Sequence, residues 1–455
     1  MKDIALYAEL SRMLEKDGPV FGVLRCMAST YITWDEFLAM RLPEELSPVD
    51  TWDLLKLLNR ATGIDIPVPD LDGNKYWYVR THEIEDSIAH IWCSCRTGSD
   101  LFNRLTATRN APVLVRAQID ETIAGAQLDG LEISAADCED LLQTGRAPRS
   151  DNERLVANTL SALDHLEELR DEPFSRELLE HLRDLVIKDV DTSRIVHVAG
   201  HRGIVKLHYD EAVTREHTEE QMAHICDYAN HTSGDVHDHV VFRALLLPDL
   251  FRLYRLFPDV SSQVGRLAAR LYAIKVSVPV LGMLSMSRAK LDWEANKLSS
   301  GLVTYGPEEY LQDRIRQRFD LTGYATLSVQ LALVALLDLT WKLNQLERED
   351  KELRTLLQRD PEINHRQRSI LGRALRDPAA EFRIAYHKTT HNVVYATARA
   401  DLLELVEKGF LEVGKKGRAM VFTPRPGLRE FIENGYLASG AETRHTPARG
   451  TTVQE

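Results

Sequence analysis

The stretch Phe251–Leu271, FRLYRLFPDVSSQVGRLAARL, decides how the chain reads. An apolar run at helical spacing leads into Pro258 and Asp259. A short polar turn, Ser261-Ser262-Gln263, follows, and then an arginine-bearing amphipathic run. A loop that opens a helix is a ready anion cradle, because the first-turn N–H groups have no partner inside the helix. Yet this stretch holds a single glycine, Gly265, and no histidine. The layout of a phosphate-binding turn is there with little of its usual chemistry.

Outward from this turn, helical periodicity dominates. Leu246, Leu250, Leu253, Tyr254 and Phe257 form an apolar stripe, and Pro248 within it predicts a kink or a restarted helix. Upstream, DETIAGAQLDGLEISAADCEDLLQTG (120–145) predicts a helix, a break at Asp129-Gly130, and a second helix that Ser134 caps and Gly145 ends. Ser150 or Asp151 then caps a helix with Leu155, Leu160, Leu163 and Leu166 on one face. Between Arg194 and Tyr209 the pattern switches to alternation around glycine, which predicts a small β-hairpin carrying His197, His201, Lys206 and His208.

Downstream, NHRQRSILGRALRDP (364–378) predicts one helix, and 381–410 predicts two more that meet near His391-Asn392. LEVGKKGRAMVFTP (411–424) predicts a hairpin whose basic tip holds Lys415, Lys416 and Arg418. Three helices and a β-wing make a winged helix-turn-helix. Thr390, His391, Asn392, Tyr395, Thr397 and Arg399 then fall on or beside the recognition helix, and the wing cations suit phosphate contact. The same module also serves elsewhere as a protein-docking unit, so DNA and a protein are both candidate partners.

The totals narrow the setting. With 455 residues, 44% of them apolar, the chain can build more than one core. A net charge of -13 opposes broad, unspecific coating of nucleic acid but allows one locally basic module. Five scattered cysteines, no secretory leader in MKDIALYAELSRMLEKDG, and an apolar run at Leu327 too short and interrupted to cross a bilayer predict a soluble cytoplasmic protein without a membrane partner. Cys93 and Cys95 lack a Cys-x-x-Cys spacing and read as packing residues. His231, His237 and His239 invite a metal reading, but no carboxylate or cysteine sits at a firm offset, and no metal is expected.

On these residues the chain resembles the Fic (Fido) domain family, in the subgroup with an N-terminal helical extension and a C-terminal winged helix. TWDEFLAMRLPEELSPVDTW (33–52) is similar to the extension. IDETIAGAQLDGLEISAADCEDLL (119–142) is similar to the helix that ends in the inhibitory Ser/Thr-x-x-x-Glu-Gly motif, and 366–422 is similar to the winged helix. The resemblance implies a mostly α fold: a Fic helical core, a β-hairpin flap and a winged helix-turn-helix. It also implies transfer of AMP from ATP, with magnesium, to a protein hydroxyl. The family signature, His-Pro-Phe-x-Asp/Glu-Gly-Asn-Gly-Arg-x-x-Arg, falls without gaps on Arg255 to Arg266. Phe257, Asp259 and Arg266 match. The base histidine is replaced by Arg255, the glycines by Val260 and Ser262, the asparagine by Ser261 and the first arginine by Gln263.

Each departure has a physical cost. A guanidinium stays protonated and cannot accept the proton of an attacking hydroxyl. Loss of a general base lowers a rate by about 10²–10⁴-fold. Val260 is β-branched and suits positive φ badly, so the cradle of N–H groups expected from Ser261, Ser262 and Gln263 changes shape. Asp259 survives as the would-be magnesium ligand, but one carboxylate needs phosphates to complete the shell. At the inhibitory motif Asp129-Gly130 stands for Glu-Gly, and Gly125 for Ser/Thr. The shorter aspartate is expected to reach Arg266 poorly.

The domain expectation is a helical extension at 1–110, a Fic-like core at 111–300, a helical connector at 301–365, the winged helix at 366–435 and a disordered tail at 436–455. The functional expectation is a binding or regulatory protein without AMP transfer that uses DNA. The alternative is an enzyme that reuses the cavity for other chemistry. There Arg255 and Arg266 would hold an anionic substrate, with Asp259 or a hairpin histidine as base. Convergence of Arg255, Asp259 and Arg266 on an open cavity favours the enzyme; a filled loop favours the binding protein.

Overall fold

The computed structural model describes residues 15, 18, 21–40, 47–70, 72–198, 215–232, 238–298, 303–307, 310, 319–356, 363–416 and 419–432. The chain is mostly α, and its described strands form two short antiparallel pairs. It divides into two compact units, one of residues 1–103, 117–139 and 148–339, the other of residues 104–116, 140–147 and 340–455.

In the first unit α1 (Phe21–Ser29), α2 (Trp34–Ala39) and α3 (Pro48–Thr62) precede a hairpin of β1 (Ile64–Ile66) and β2 (Tyr76–Tyr78). Thr33 and Glu36 form a reciprocal cap on α2, and Ser47 caps α3. Next along the chain come α4 (His82–Cys95), α5 (Asp100–Thr106), α6 (Ala111–Leu128), α7 (Ala135–Thr144), α8 (Asp151–Ala162), α9 (Arg176–Ile187) and α10 (Arg215–Ala229), of which residues 104–116 and 140–147 count with the second unit. Local chemistry sets their ends. Asp129 and Gly130, at φ 71°, terminate α6; Ser134 Oγ accepts from Asp137 N at the start of α7; Gly145, at φ 63°, closes it. Ser150, rather than Asp151, caps α8. Of the hairpin predicted at 194–209, residues up to Val198 are described, so His201, Lys206 and His208 lie outside the described residues.

The centre of this unit is the pair α11 (Val240–Tyr254) and α12 (Ser261–Lys275). Pro248 neither ends nor restarts α11, which runs through it. The two helices approach closely at Gly265, where a Cβ would lie 2.8 Å from Phe251 Cβ and 3.2 Å from Pro248 Cα. Gly265 is thus a packing glycine, not a phosphate-loop glycine. Arg243 is 1% exposed and bonded to Asp238 and the Tyr228 carbonyl, with its guanidinium 4.4 Å from the Tyr228 ring. His239 caps α11 by accepting from Val241 N. His231 meets Tyr272 Oη at 3.0 Å, and no metal-holding cluster occurs among the described residues. α13 (Met286–Glu294) follows.

The expectation about the apolar run at Leu327 needs correction. It lies in α14 (Thr322–Leu356), and Thr322–Glu352 is long and apolar enough to cross a membrane by length and composition. Its most apolar window is 72% buried inside the protein, which suits a core helix. In the second unit α15 (His365–Arg376), α16 (Ile384–His391) and α17 (Tyr395–Glu407) surround a core that includes Ile370, Leu371, Phe382, Leu402 and Phe410. A hairpin of β3 (Leu411–Lys416) and β4 (Ala419–Pro424) closes it in the register Leu411↔Pro424 to Lys416↔Ala419. Phe382 and Phe422 exchange both backbone hydrogen bonds and pin the hairpin to the start of α16. Gly417 and Arg418, at the tip, lie outside the described residues.

Candidate functional site

The turn between α11 and α12 is closed by its own side chains. Arg255 ends α11 in the left-handed region, φ 48° and ψ 45°, with its side chain exposed. Asp259 is exposed as well. Ser261 Oγ accepts from Phe257 N at 2.8 Å and donates to Phe257 O at 2.7 Å, so this hydroxyl serves the turn. Val260 sits at φ -143°, avoiding the positive φ it tolerates badly, and its side chain is 1% exposed in the core. Gln263 is buried at 5%.

Arg266 points the other way, toward the end of α6. Its Nη1 and Nη2 donate to Asp129 Oδ1 and Oδ2 at 3.1 and 2.5 Å. Burial disfavours the charged guanidinium, but Asp129 outweighs it and raises the pKa of Arg266. The aspartate therefore reaches the arginine fully, against the expectation from its shorter side chain. The reason is Gly125: a Cβ there would stand 3.0 Å from Arg266 Cζ, Nε and Nη2. With only hydrogen at that position the guanidinium lies against α6, and one methylene less is enough.

Ser262 and Arg266 line a cavity of about 170 Å³, whereas Arg255, Asp259, Ser261 and Gln263 do not. The cavity carries charges that sequence reading did not single out. Asp249 accepts from Arg252 at 2.7 Å, from Lys290 at 3.1 and 3.2 Å, and from Tyr324 Oη at 2.6 Å. Burial would raise its carboxyl, but Lys290 and Arg252 hold it below the usual carboxylate range. Glu121 accepts from Ser287 N at 2.7 Å and Ser287 Oγ at 2.6 Å, and burial pushes its pKa up. Arg270 donates from Nε to Gly282 O while its Nη2 is buried without a partner, and burial lowers it to about 10. The helical spacing of Asp249 and Arg252 was legible; Lys290 and Tyr324 come from distant helices, and no local pattern announces them.

The remaining site expectations divide. His197 is exposed and forms an isolated bridge with Leu131, while Val198 N donates to Gly130 O, so residues 196–198 run beside the Asp129-Gly130 break. Asn392 adopts the left-handed conformation between α16 and α17 and is exposed, as are Arg399 and Lys415. The side chains of Lys416 and Arg418 lie outside the described residues. His391 is corrected: it is 6% exposed and packs against His387 with centroids 4.7 Å apart, so its ring is not presented at the surface.

What these features define is a mostly helical protein with a self-closed turn beside a charged cavity, and a three-helix unit with a hairpin. No family model and no curated protein matches the chain. Among solved structures it is similar to a Fic family protein from Desulfovibrio desulfuricans G20, with a TM-score of 0.42, 14% identity, and coverage of 77% of this chain and 98% of that one. It is also similar to a Fic domain containing signaling protein from Bacteroides thetaiotaomicron VPI-5482, with a TM-score of 0.37, 13% identity, and coverage of 58% and 98%.

Proposed function

We propose that the chain is a Fic-fold protein that has lost AMP transfer and acts as a binding or regulatory protein, with its second unit a winged helix that reads DNA. One observation carries the first half: Arg266 is committed to Asp129 and faces the cavity, while Arg255 and Asp259 are exposed and do not line it. A transfer site needs these positions to meet around one phosphate chain. The side chains also fit magnesium-ATP poorly. Val260 fills the space a glycine would leave, the Phe257 N–H is taken by Ser261, and Asp259 has no second carboxylate given by the motif. The DNA half is supported by the exposed Asn392, Arg399 and Lys415 on a helix pair with a hairpin.

The experiment is incubation of the purified chain, alone and in lysate, with labelled ATP and magnesium. The expected result is no label on itself or other proteins, and none after Asp129→Ala. Labelling that Asp259→Ala abolishes overturns the reading.

A second reading, an enzyme that uses the cavity for different chemistry, is favoured by Glu121 and Arg270 facing the same space. A carboxyl raised by burial and a guanidinium with a spare donor are the makings of an acid–base pair with an anion hold. Its residues differ from the Arg255, Asp259 and Arg266 set expected from sequence. Turnover lost in Glu121→Gln with folding intact would establish it.

A further inference from the structure

The second unit holds a cavity of about 460 Å³ that neither the turn nor the helix pair accounts for. Its volume is in the range of sites that take small organic ligands, roughly 300–1,000 Å³. One wall is aromatic: Trp341, 60% exposed despite its size, with Phe382 and Tyr386. Another is cationic, formed by Arg116, Lys342, Arg373, Arg376 and Arg383, against one acidic side chain, Glu349. That carboxylate is engaged by Arg376 at 3.1 Å. Arg373 has no acidic partner among the described residues, and its guanidinium lies 5.6 and 5.7 Å from the Phe382 and Tyr386 ring centres. Arg383 forms two long ion pairs, with Asp140 and Glu381, each at 3.9 Å and so without a hydrogen bond. In a chain of net charge -13, five cations gather around this aromatic wall, and Arg373 is the one whose charge meets rings rather than a carboxylate.

The inner end of the cavity adds polar atoms without partners. Thr390 Oγ1 and His391 Nδ1 are buried and make no hydrogen bond. Thr390 is 5% exposed and His391 6%, and both line the cavity. Buried polar atoms in native proteins are rarely left unpaired, and orphans facing a cavity mark a place for a polar group. Burial, reinforced by His387 and His365, lowers the His391 pKa to about 3, so the ring stays neutral and Nδ1 can exchange a hydrogen bond without bringing a second charge. Water could satisfy these two atoms, but water gives no role to the aromatic wall or to the unpartnered Arg373.

We propose that this cavity binds a small aromatic anion, an aryl ring bearing one carboxylate or phosphate. The ring lies against Trp341 and Tyr386, the anionic group meets Arg373 and Arg383, and a polar substituent reaches Thr390 and His391. Thr390 and His391 are the last residues of α16, directly before the left-handed Asn392 that leads to α17. Occupancy therefore bears on the turn between the two helices. The binding itself does not rest on the DNA reading, and it fails or holds independently of it.

The test is titration of the full-length chain with benzoate, indole-3-carboxylate and phenyl phosphate, with benzamide as the neutral analogue, followed by calorimetry and tryptophan fluorescence. The expected result is saturable binding of at least one anion with Kd below about 1 mM, and none comparable for benzamide. The carboxylates and the phosphate tell the two sources of the anion apart. Arg373→Ala should weaken the best anion roughly 10- to 100-fold. Trp341→Phe should remove the fluorescence change while most binding remains. Thr390→Val, nearly the same shape, serves where Arg373→Ala unfolds the unit, and should weaken a ligand with a polar substituent more than its unsubstituted parent. No saturation by any of the three anions overturns the proposal. So does binding that is undiminished in folded Arg373→Ala, or equal affinity for benzamide.

Discussion

Asp129 and Arg266 face each other through two hydrogen bonds across the bare flank of Gly125. The pair links the end of α6 to α12 at the edge of the cavity, and its side chains are 10% and 21% exposed. A charge pair this sheltered is costly to break from one side, because the surviving charge stays buried without compensation. Asp129→Ala should therefore lower stability by about 3 kcal/mol, read as a fall in the urea midpoint at unchanged slope. Gly125→Ala sets a helix-propensity gain of about 1 kcal/mol against a methyl that meets the guanidinium at 3.0 Å, so its change should be smaller than that of Asp129→Ala. Asp129→Ala combined with Arg266→Leu should recover part of the loss. A loss below about 1 kcal/mol in Asp129→Ala would mean that solvent already serves the arginine.

Nucleotide affinity follows from the same turn. With Arg266 held by Asp129, Phe257 N–H taken by Ser261 and neutral Gln263 buried, a triphosphate finds few donors. Magnesium-ATP should bind with Kd weaker than about 1 mM in calorimetry. Low-micromolar, magnesium-dependent binding would sink the account of a filled turn.

How much of this was legible in sequence depends on how local the cause is. The break at Asp129-Gly130, the cap at Ser134, a cap at Ser150 or Asp151, and the end at Gly145 are set by residues within a few positions, and they stand in the structure, with Ser150 taking the cap. Pro248 was read by the same local rule as a kink or a restart, and the restart is excluded: α11 runs through it, because burial of the helix on both sides outweighs one missing hydrogen bond. The Asp129–Arg266 contact was misjudged from side-chain length alone; what decides it is how near the two helices come, and Gly125 sets that distance. The Asp249–Lys290–Tyr324 cluster joins three helices far apart in the chain. His391 was assigned to the surface from its place near a turn, yet the last turn of α16 rolls it inward against His387.

That inward histidine gives a pH dependence. Its pKa falls from the ordinary 6.5 to about 3 through burial and the neighbouring His387 and His365. Between these values the unfolded chain binds a proton that the folded chain refuses, so stability falls as pH drops below about 6.5. At pH 5 the loss from this group is about 2 kcal/mol relative to pH 7. Urea midpoints measured at both values should show it, and His391→Leu should flatten the difference relative to wild type. An equal pH response in the two proteins would show that other groups account for it.

The last prediction concerns DNA. Asn392 holds the turn in the left-handed conformation at φ 49°, and the start of α17 exposes Val394 at 67% and Tyr395 at 56%, with Arg399 one turn on. Large apolar side chains left in water beside a cation and an amide are suited to base edges and thymine methyls in a major groove. Lys415 is exposed on β3, and on the winged-helix reading Lys415, Lys416 and Arg418 would meet phosphates. The net charge of -13 gives poor long-range attraction, so binding should be local and fall steeply with salt. Arg399→Ala or Asn392→Ala should cost about 1–3 kcal/mol on a preferred site and little elsewhere. Lys415→Ala, Lys416→Ala and Arg418→Ala should weaken all sequences alike and reduce the salt slope. His391→Ala should not alter which bases are preferred, since the ring is buried. Gel retardation with the chain's own promoter region and genomic fragments is the measurement. No retardation at low salt by folded protein would assign the exposed Val394–Arg399 face to a protein partner instead.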